Sequence, residues 1–388
     1  MKVIIFFLSL VIFVTLFTSC SDQPEGKEII YAGTFEGRDS EGLYVFEFNR
    51  TAGELNHIQT VTNRIGPNFQ VIHPNNQFLF SVSDDRFDSS APFGTVSSYK
   101  IDGDTGMLEL INEQSVEGRG TAHVSVDPLG KYLFVSNYSE GNLVMYRINQ
   151  DGSLSESVDS AQHKGSSINE RRQNNAHVHS SIPSADGRFL YVSDLGIDKI
   201  KIYRINRDND TIEPAETPYF ENEAGSGPRH FTIHQNGRFA YSVEELTSTV
   251  AVLEVDQSTG ALYQIQRIDM LPDDFDGQNT AADIHISPDG RFLYATNRGH
   301  DSLAIYEIDQ TGGRLTFITR ESTRGGHPRN FLIDKTGEFL FTANRDDDNI
   351  VIFRRDTETG LLTFVREKTG IPMIVCLTQH IPDYTGKI

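Results

Sequence analysis

Groups able to bind anions and move protons crowd into one stretch of 22 residues, Gly225 to Leu246 (GSGPRHFTIHQNGRFAYSVEEL). Arg229 and His230 open one predicted strand, and Glu244 and Glu245 close the next. An arginine keeps its proton at ordinary pH and suits oxyanions, carboxylates or phosphates. A histidine and a glutamate whose pKa values are held apart can divide the work of general acid and base. The strands are read from the alternation of Phe231, Ile233, Phe239 and Tyr241 about a tight turn at Asn236-Gly237. Antiparallel pairing sets the start of one strand beside the end of the other. One hairpin thus carries a guanidinium, an imidazole and two carboxylates on one edge.

The hairpin is one copy of a repeat, and the repeat decides the fold. A strand anchor recurs as IIY at Ile29, FLF at Phe78, YLF at Tyr132, FLY at Phe189, FAY at Phe239, FLY at Phe292 and FLF at Phe339, spaced by 47 to 57 residues. A polar turn and a third strand follow most anchors, as in LVMYRI from Leu143 and IVIFRR from Ile350. A Gly-containing turn then leads to an outer strand such as LTFITR or LTFVRE. Four antiparallel strands in each of seven units predict an all-β, seven-bladed β-propeller spanning residues 28–388. A solenoid stack is the alternative architecture. The first unit lacks an inner strand, and Met373-Ile374-Val375-Cys376-Leu377 is the spare apolar segment. The ring is therefore expected to close with N- and C-terminal strands in one blade, hiding both edges. Cys376 is then a small buried hydrophobe.

Aligned on the anchors, the inner strands begin with Asn68-Phe69, Ala122-His123, His179-Ser180, Arg229-His230, Ala282-Asp283 and Arg329-Asn330, with His177 two residues before His179. The second strands end in Ser83-Asp84, Asn137-Tyr138, Asp194-Leu195, Glu244-Glu245, Asn297-Arg298 and Asn344-Arg345. A propeller gathers these positions near one mouth of its channel, where convergent titratable groups form the default candidate site. Asp194, Asn297 and Asn344 read first as turn formers. His73 and His234 read as structural groups beside turns. Arg329 and Arg345 also fit rim charges or blade-to-blade ion pairs. Glu244 is expected to point into blade packing or a salt link.

Composition excludes some partners. A net charge of −20 repels a phosphate backbone, so nucleic acid is not expected. Two cysteines, Cys20 and Cys376, make no disulfide framework. At the start, Lys2 precedes an apolar run from Val3 to Phe17 and then Thr18-Ser19-Cys20. Residues 1–20 resemble a bacterial lipoprotein signal, which implies lipidation of Cys20. Residues 21–27 read as a polar tether. The expectation is an exported, membrane-anchored lipoprotein, periplasmic or at the cell surface, touching the membrane only through that lipid.

His177-Val178-His179, Asp194-Leu195-Gly196-Ile197-Asp198, Gly225-Ser226-Gly227-Pro228-Arg229-His230, Glu244-Glu245-Leu246, Asn297-Arg298-Gly299 and Gly326-His327-Pro328-Arg329 occur here in order on seven blades. With them the chain resembles the seven-bladed propeller lactonases, which include propeller-type 6-phosphogluconolactonases and fungal 3-carboxy-cis,cis-muconate lactonizing enzymes. The resemblance implies hydrolysis of a sugar-derived lactone at the channel mouth, with no cofactor and no required metal. It implies catalytic roles for His179 (or its neighbour His177), Arg229, Glu245 and Arg298. His177, His230, Asp283 and Arg329 are then expected to bind substrate. Glu245 is taken as base and His179 as acid, with the arginines at the oxyanion. A monomer or weak oligomer is expected. Competing readings are a lactonizing cycloisomerase, a Ca²⁺-dependent sugar lactonase with Asp283, Asn297 and Glu245 as ligands, and a non-catalytic binding propeller at the cell surface.

Overall fold

Short β-branched and aromatic runs punctuated by Gly and Asp turns form four-stranded antiparallel sheets, and seven such sheets make up a ring. The computed structural model describes residues 27–84 and 93–382. The predicted signal segment, Cys20 and the tether up to Gly26 lie outside the described residues. One 3₁₀ turn, Leu195–Ile197, is the sole helical element among them.

In six blades the strands run in chain order from the channel outward. The remaining blade closes the ring as expected. Its inner strand, Ile374–His380, pairs antiparallel with Glu28–Thr34, Leu377 opposite Ala32 and Cys376 opposite Gly33. This seam carries a buried ionic cluster. Arg50 donates from Nε and Nη2 to the two carboxylate oxygens of Glu28, at 2.7 and 3.0 Å. It also pairs with Asp334 and Glu338 of the last blade. Gln379 from the C-terminal strand donates to Glu28 at 3.0 Å.

The core lies between blades. Seven hydrophobic clusters each join one sheet to the next, for example Phe239, Tyr241 and Val250 against Leu293, Ala304 and Tyr306. The first anchor residue often packs on a turn glycine of the following blade. Phe239 meets Gly313 in this way; Gly313 has φ 70°, and a Cβ there would come within 2.4 Å of the Phe239 ring. Only glycine adopts that conformation freely and leaves that space. The ends of the second strands are tied between blades as well. Asn137, Asn297 and Asn344 are fully buried and donate to carbonyls of the preceding blade, those of Val116, Met270 and Thr323.

Candidate active site

The inner strands do not run straight into the channel mouth. In five of them the pairing register skips one residue: Asn68, Ala122, His179, Arg229 and Arg329. In a sixth it skips Ala282 and Asp283, and in the seventh, the closing strand, Val375. Such a bulge sets two residues against one and re-aims the side chains around it. Strand Pro228–Ile233 illustrates the effect. Arg229 turns to Glu245 of its own blade, whereas the adjacent His230 turns along the channel to Asp283 of the next.

A cavity of about 360 Å³ opens at one mouth, walled by Tyr138, Arg172, His179, Glu245, Arg298 and Arg329 among others. Glu245 organises its charges. One carboxylate oxygen pairs with Arg229 Nε at 3.0 Å and Arg298 Nη2 at 2.9 Å, the other with Arg172 Nη2 at 2.5 Å. Burial alone would raise the pKa of this carboxyl, but the three guanidiniums prevail and hold it far below the usual carboxylate range. Arg229 is 1% exposed, and Nη1 donates to the Ala282 carbonyl at 2.6 Å. Burial and the nearby Arg298 bring its guanidinium down to about 10. Arg298 commits Nε and Nη2 to the carbonyls of Thr280 and Ala281 as well as to Glu245. Arg329 lies over the Phe35 ring, 4.9 Å from its centroid, and has no ion pair among the described residues. Four guanidiniums therefore surround one carboxylate, inside a chain that is strongly acidic overall.

His179 is the imidazole of this cavity. Burial, then repulsion from Arg229, His230, Arg329 and Arg298, pushes its pKa well down, so it stands neutral with Nδ1 unpartnered. Its ring meets Tyr138 edge-on at 5.6 Å, and Tyr138 stacks on His177 at 4.3 Å. On the inner side it meets His230 at 5.2 Å, which in turn contacts His123 and Phe69. Beyond this plug of rings a second cavity of about 530 Å³ opens, lined by Phe69, His123, His230, Phe231, Asp283 and His285 among others.

The structure thus divides the predicted residues. His179, Glu245, Arg298 and Arg329 line the mouth cavity. Arg229, bulged like His179 and Arg329, lies behind the wall because its guanidinium is taken up by Glu245 and the Ala282 carbonyl. His177 is outside the lining; its Nδ1 is 2.9 Å from the Tyr138 carbonyl. His230 and Asp283, expected beside the substrate, line the opposite cavity. The depressed carboxyl of Glu245 is a weak proton acceptor, which runs against the expected assignment of that residue as base. The set Asp283, Asn297 and Glu245 is not assembled: Asp283 lines the far cavity, Asn297 bonds Met270 and Ser302, and Glu245 is held by arginines. Glu244 does face away, bonded to Asn222, Thr249 and Arg267. Sequence reasoning missed Arg172 and Phe35. Arg172 comes from the loop that links two blades and has no place in the strand alignment; Phe35 stands six residues after the Ile29 anchor, the position of Glu245 and Arg298 in their blades, and was passed over because that alignment left out the first blade. The Arg171-Arg172 pair in an acidic chain was the signal available.

With the geometry in hand, comparison with known proteins is specific. The family model described as lactonase, 7-bladed beta-propeller, matches residues 29–379. A 6-phosphogluconolactonase from Formosa agariphila is 38% identical over 79% of this chain and 86% of its own length. One from Bacillus subtilis is 35% identical over 80% of this chain and 86% of its own. The solved structure of a periplasmic gluconolactonase from Pseudomonas aeruginosa superposes with a TM-score of 0.86, at 31% identity, over 91% of this chain and 99% of that one.

Proposed function

The chain belongs to the seven-bladed β-propeller lactonase family, and on that premise we propose that it hydrolyses a sugar-derived δ-lactone bearing an anionic group, of the 6-phosphogluconolactone kind, in the cavity walled by Arg172, His179, Arg298 and Arg329. The observation that carries the anionic substrate is Arg329, a guanidinium in the wall with no ion pair among the described residues. Arg329 and Arg172 are the groups to hold a phosphate or carboxylate. Arg298 has Nη1 without a protein partner among the described residues, and meets the carbonyl oxygen as it becomes an oxyanion. His179, neutral and unpartnered at Nδ1, takes a proton from the attacking water. It returns that proton to the ring oxygen when the C–O bond breaks. An anionic substrate offsets the arginines that depress His179, and so raises its basicity at the moment of use. Glu245 and Arg229 fix the arginine array and touch no reacting atom. No step is assigned to a metal, and activity is expected to survive chelator.

A second reading, an unphosphorylated gluconolactone, is favoured by the likeness to the periplasmic gluconolactonase and by the predicted export signal. One experiment separates the two. Acid release is measured on δ-gluconolactone, its 6-phosphate and a simple γ-lactone, for wild type and Arg329→Ala. Preference for the phosphate that collapses in the variant supports the first reading. Equal turnover of both sugars supports the second. No turnover above the spontaneous rate on any lactone removes both. Lipidation at Cys20 belongs to the same proposal; labelling with radioactive palmitate that persists in Cys20→Ser would refute it.

A further inference from the structure

Lactone hydrolysis releases a proton at neutral pH. Water adds to the carbonyl, the ring C–O bond breaks, the alkoxide is protonated, and the carboxylic acid formed ionises; one proton per turnover must leave. The cationic mouth, filled by an anionic substrate, is a poor exit for it. Behind His179 an alternative is built. The His179 and His230 rings are in edge contact at 5.2 Å, and each has one buried nitrogen without a partner among the described residues, Nδ1 and Nε2 respectively. His230 Nδ1 is 2.6 Å from Asp283 Oδ1, and Asp283 Oδ2 is 2.9 Å from His285 Nε2. Asp283 is 1% exposed, whereas the His285 side chain is 43% exposed and lines the opposite cavity.

We propose that His230, Asp283 and His285 form a proton relay that carries the hydrolytic proton from His179 through the channel to the opposite face. The proposal rests on the lactonase reading above. The ionising product gives its proton to His179. His179 passes it to His230 Nε2, directly or over one water. His230 releases its Nδ1 proton to Asp283, Asp283 protonates His285 at Nε2, and His285 loses a proton to water in the far cavity. The groups facing the relay make Asp283 a carrier that holds the proton only in passing between His230 and His285. Arg229, Arg298 and Arg329 face His179 and repel a retained proton. His123 and Phe69 flank His230. Asn330 Nδ2 and the Phe331 amide bond Asp283 Oδ2, and the Phe331 ring packs on His285 at 4.7 Å. Burial opposes protonation of His285, but the Asp283 charge and hydrogen bond outweigh it, so this terminal imidazole holds a proton more readily than an ordinary one.

The test is the buffer dependence of turnover in full-length His285→Ala, whose mutated side chain lies away from the mouth cavity. In about 1 mM buffer its kcat is expected to fall on the order of tenfold with KM within about twofold. Added imidazole, which fits the far cavity, restores kcat, while wild type is indifferent to buffer. A purely structural role would not produce buffer rescue. Asp283→Asn, folded by thermal melt, should lose the same rate and stay low with imidazole. An active wild type whose His285→Ala variant is unimpaired, or impaired equally in all buffers, overturns the relay alone; a wild type without lactone turnover overturns the lactonase reading and the relay with it.

Discussion

Arg229 and His230 are neighbours in the chain and belong to opposite ends of the channel. The first braces a carboxylate that two further guanidiniums also hold at a cavity with a fourth, Arg329, in its wall; the second faces a cavity floored by imidazoles and walled by Phe69 and Phe231. One bulged residue separates a cation-rich environment from a nearly neutral one. Adjacency in sequence says nothing here about shared function; strand geometry decides it.

That contrast breaks most visibly at Arg298. Arg298→Ala removes the unpartnered donor of the mouth and should lower kcat/KM by about 10²–10³ in steady-state assays, with the thermal midpoint little changed. A loss under tenfold would remove Arg298 from the oxyanion. Glu245→Gln tests the counter-ion role. It leaves Arg229 buried with its charge uncompensated, so urea unfolding should register a loss of about 3–5 kcal/mol. The acidic limb of the residual pH–rate profile should survive in this variant; its disappearance would restore Glu245 as base. Arg329→Ala should raise KM for an anionic lactone by roughly tenfold and leave the neutral sugar unaffected. Its melting temperature should hold or rise, because the substitution relieves repulsion with Arg229 and Arg298.

The smallest effect sharpens the far end. Burial, then Arg229, lowers His230 to about 4 against an ordinary 6.5. The unfolded chain therefore binds more protons than the folded one across that interval, and stability falls as pH drops from about 6.5 toward 4. Asp283, held low in the fold, adds to the fall only as pH drops below the ordinary carboxylate range. His230→Gln should flatten the slope of melting temperature between pH 6.5 and 4; an unchanged slope would mean that His230 does not titrate as its burial requires.

The repeat made the fold legible. Anchor spacing, glycine turns and a surplus apolar segment around Cys376 specify blades, strand order and closure, because each is a period or a count. His179, Glu245, Arg298 and Arg329 were legible for the same reason: they occupy equivalent strand ends. Two things were not. A bulge leaves no mark in an alternation pattern, so the split between Arg229 and His230 was hidden. Loop residues have no register, so Arg172 was invisible despite a 2.5 Å contact to Glu245. The pKa of Glu245 depends on three cations from three separate segments, and pairwise strand reasoning could not order them.

The seam between Glu28–Thr34 and Ile374–His380 has a consequence for biosynthesis. The strand that completes the first blade is the last of the seven inner strands to be made, so a nascent chain with every other blade finished still offers an open strand edge, and Glu28, already paired with Arg50, lacks Gln379. Ring formation is a single event that waits for Ile374–His380. A stop codon just before Ile374 would lose no part of the mouth cavity lining and still yield an incomplete, adhesive circle rather than a slightly shorter enzyme.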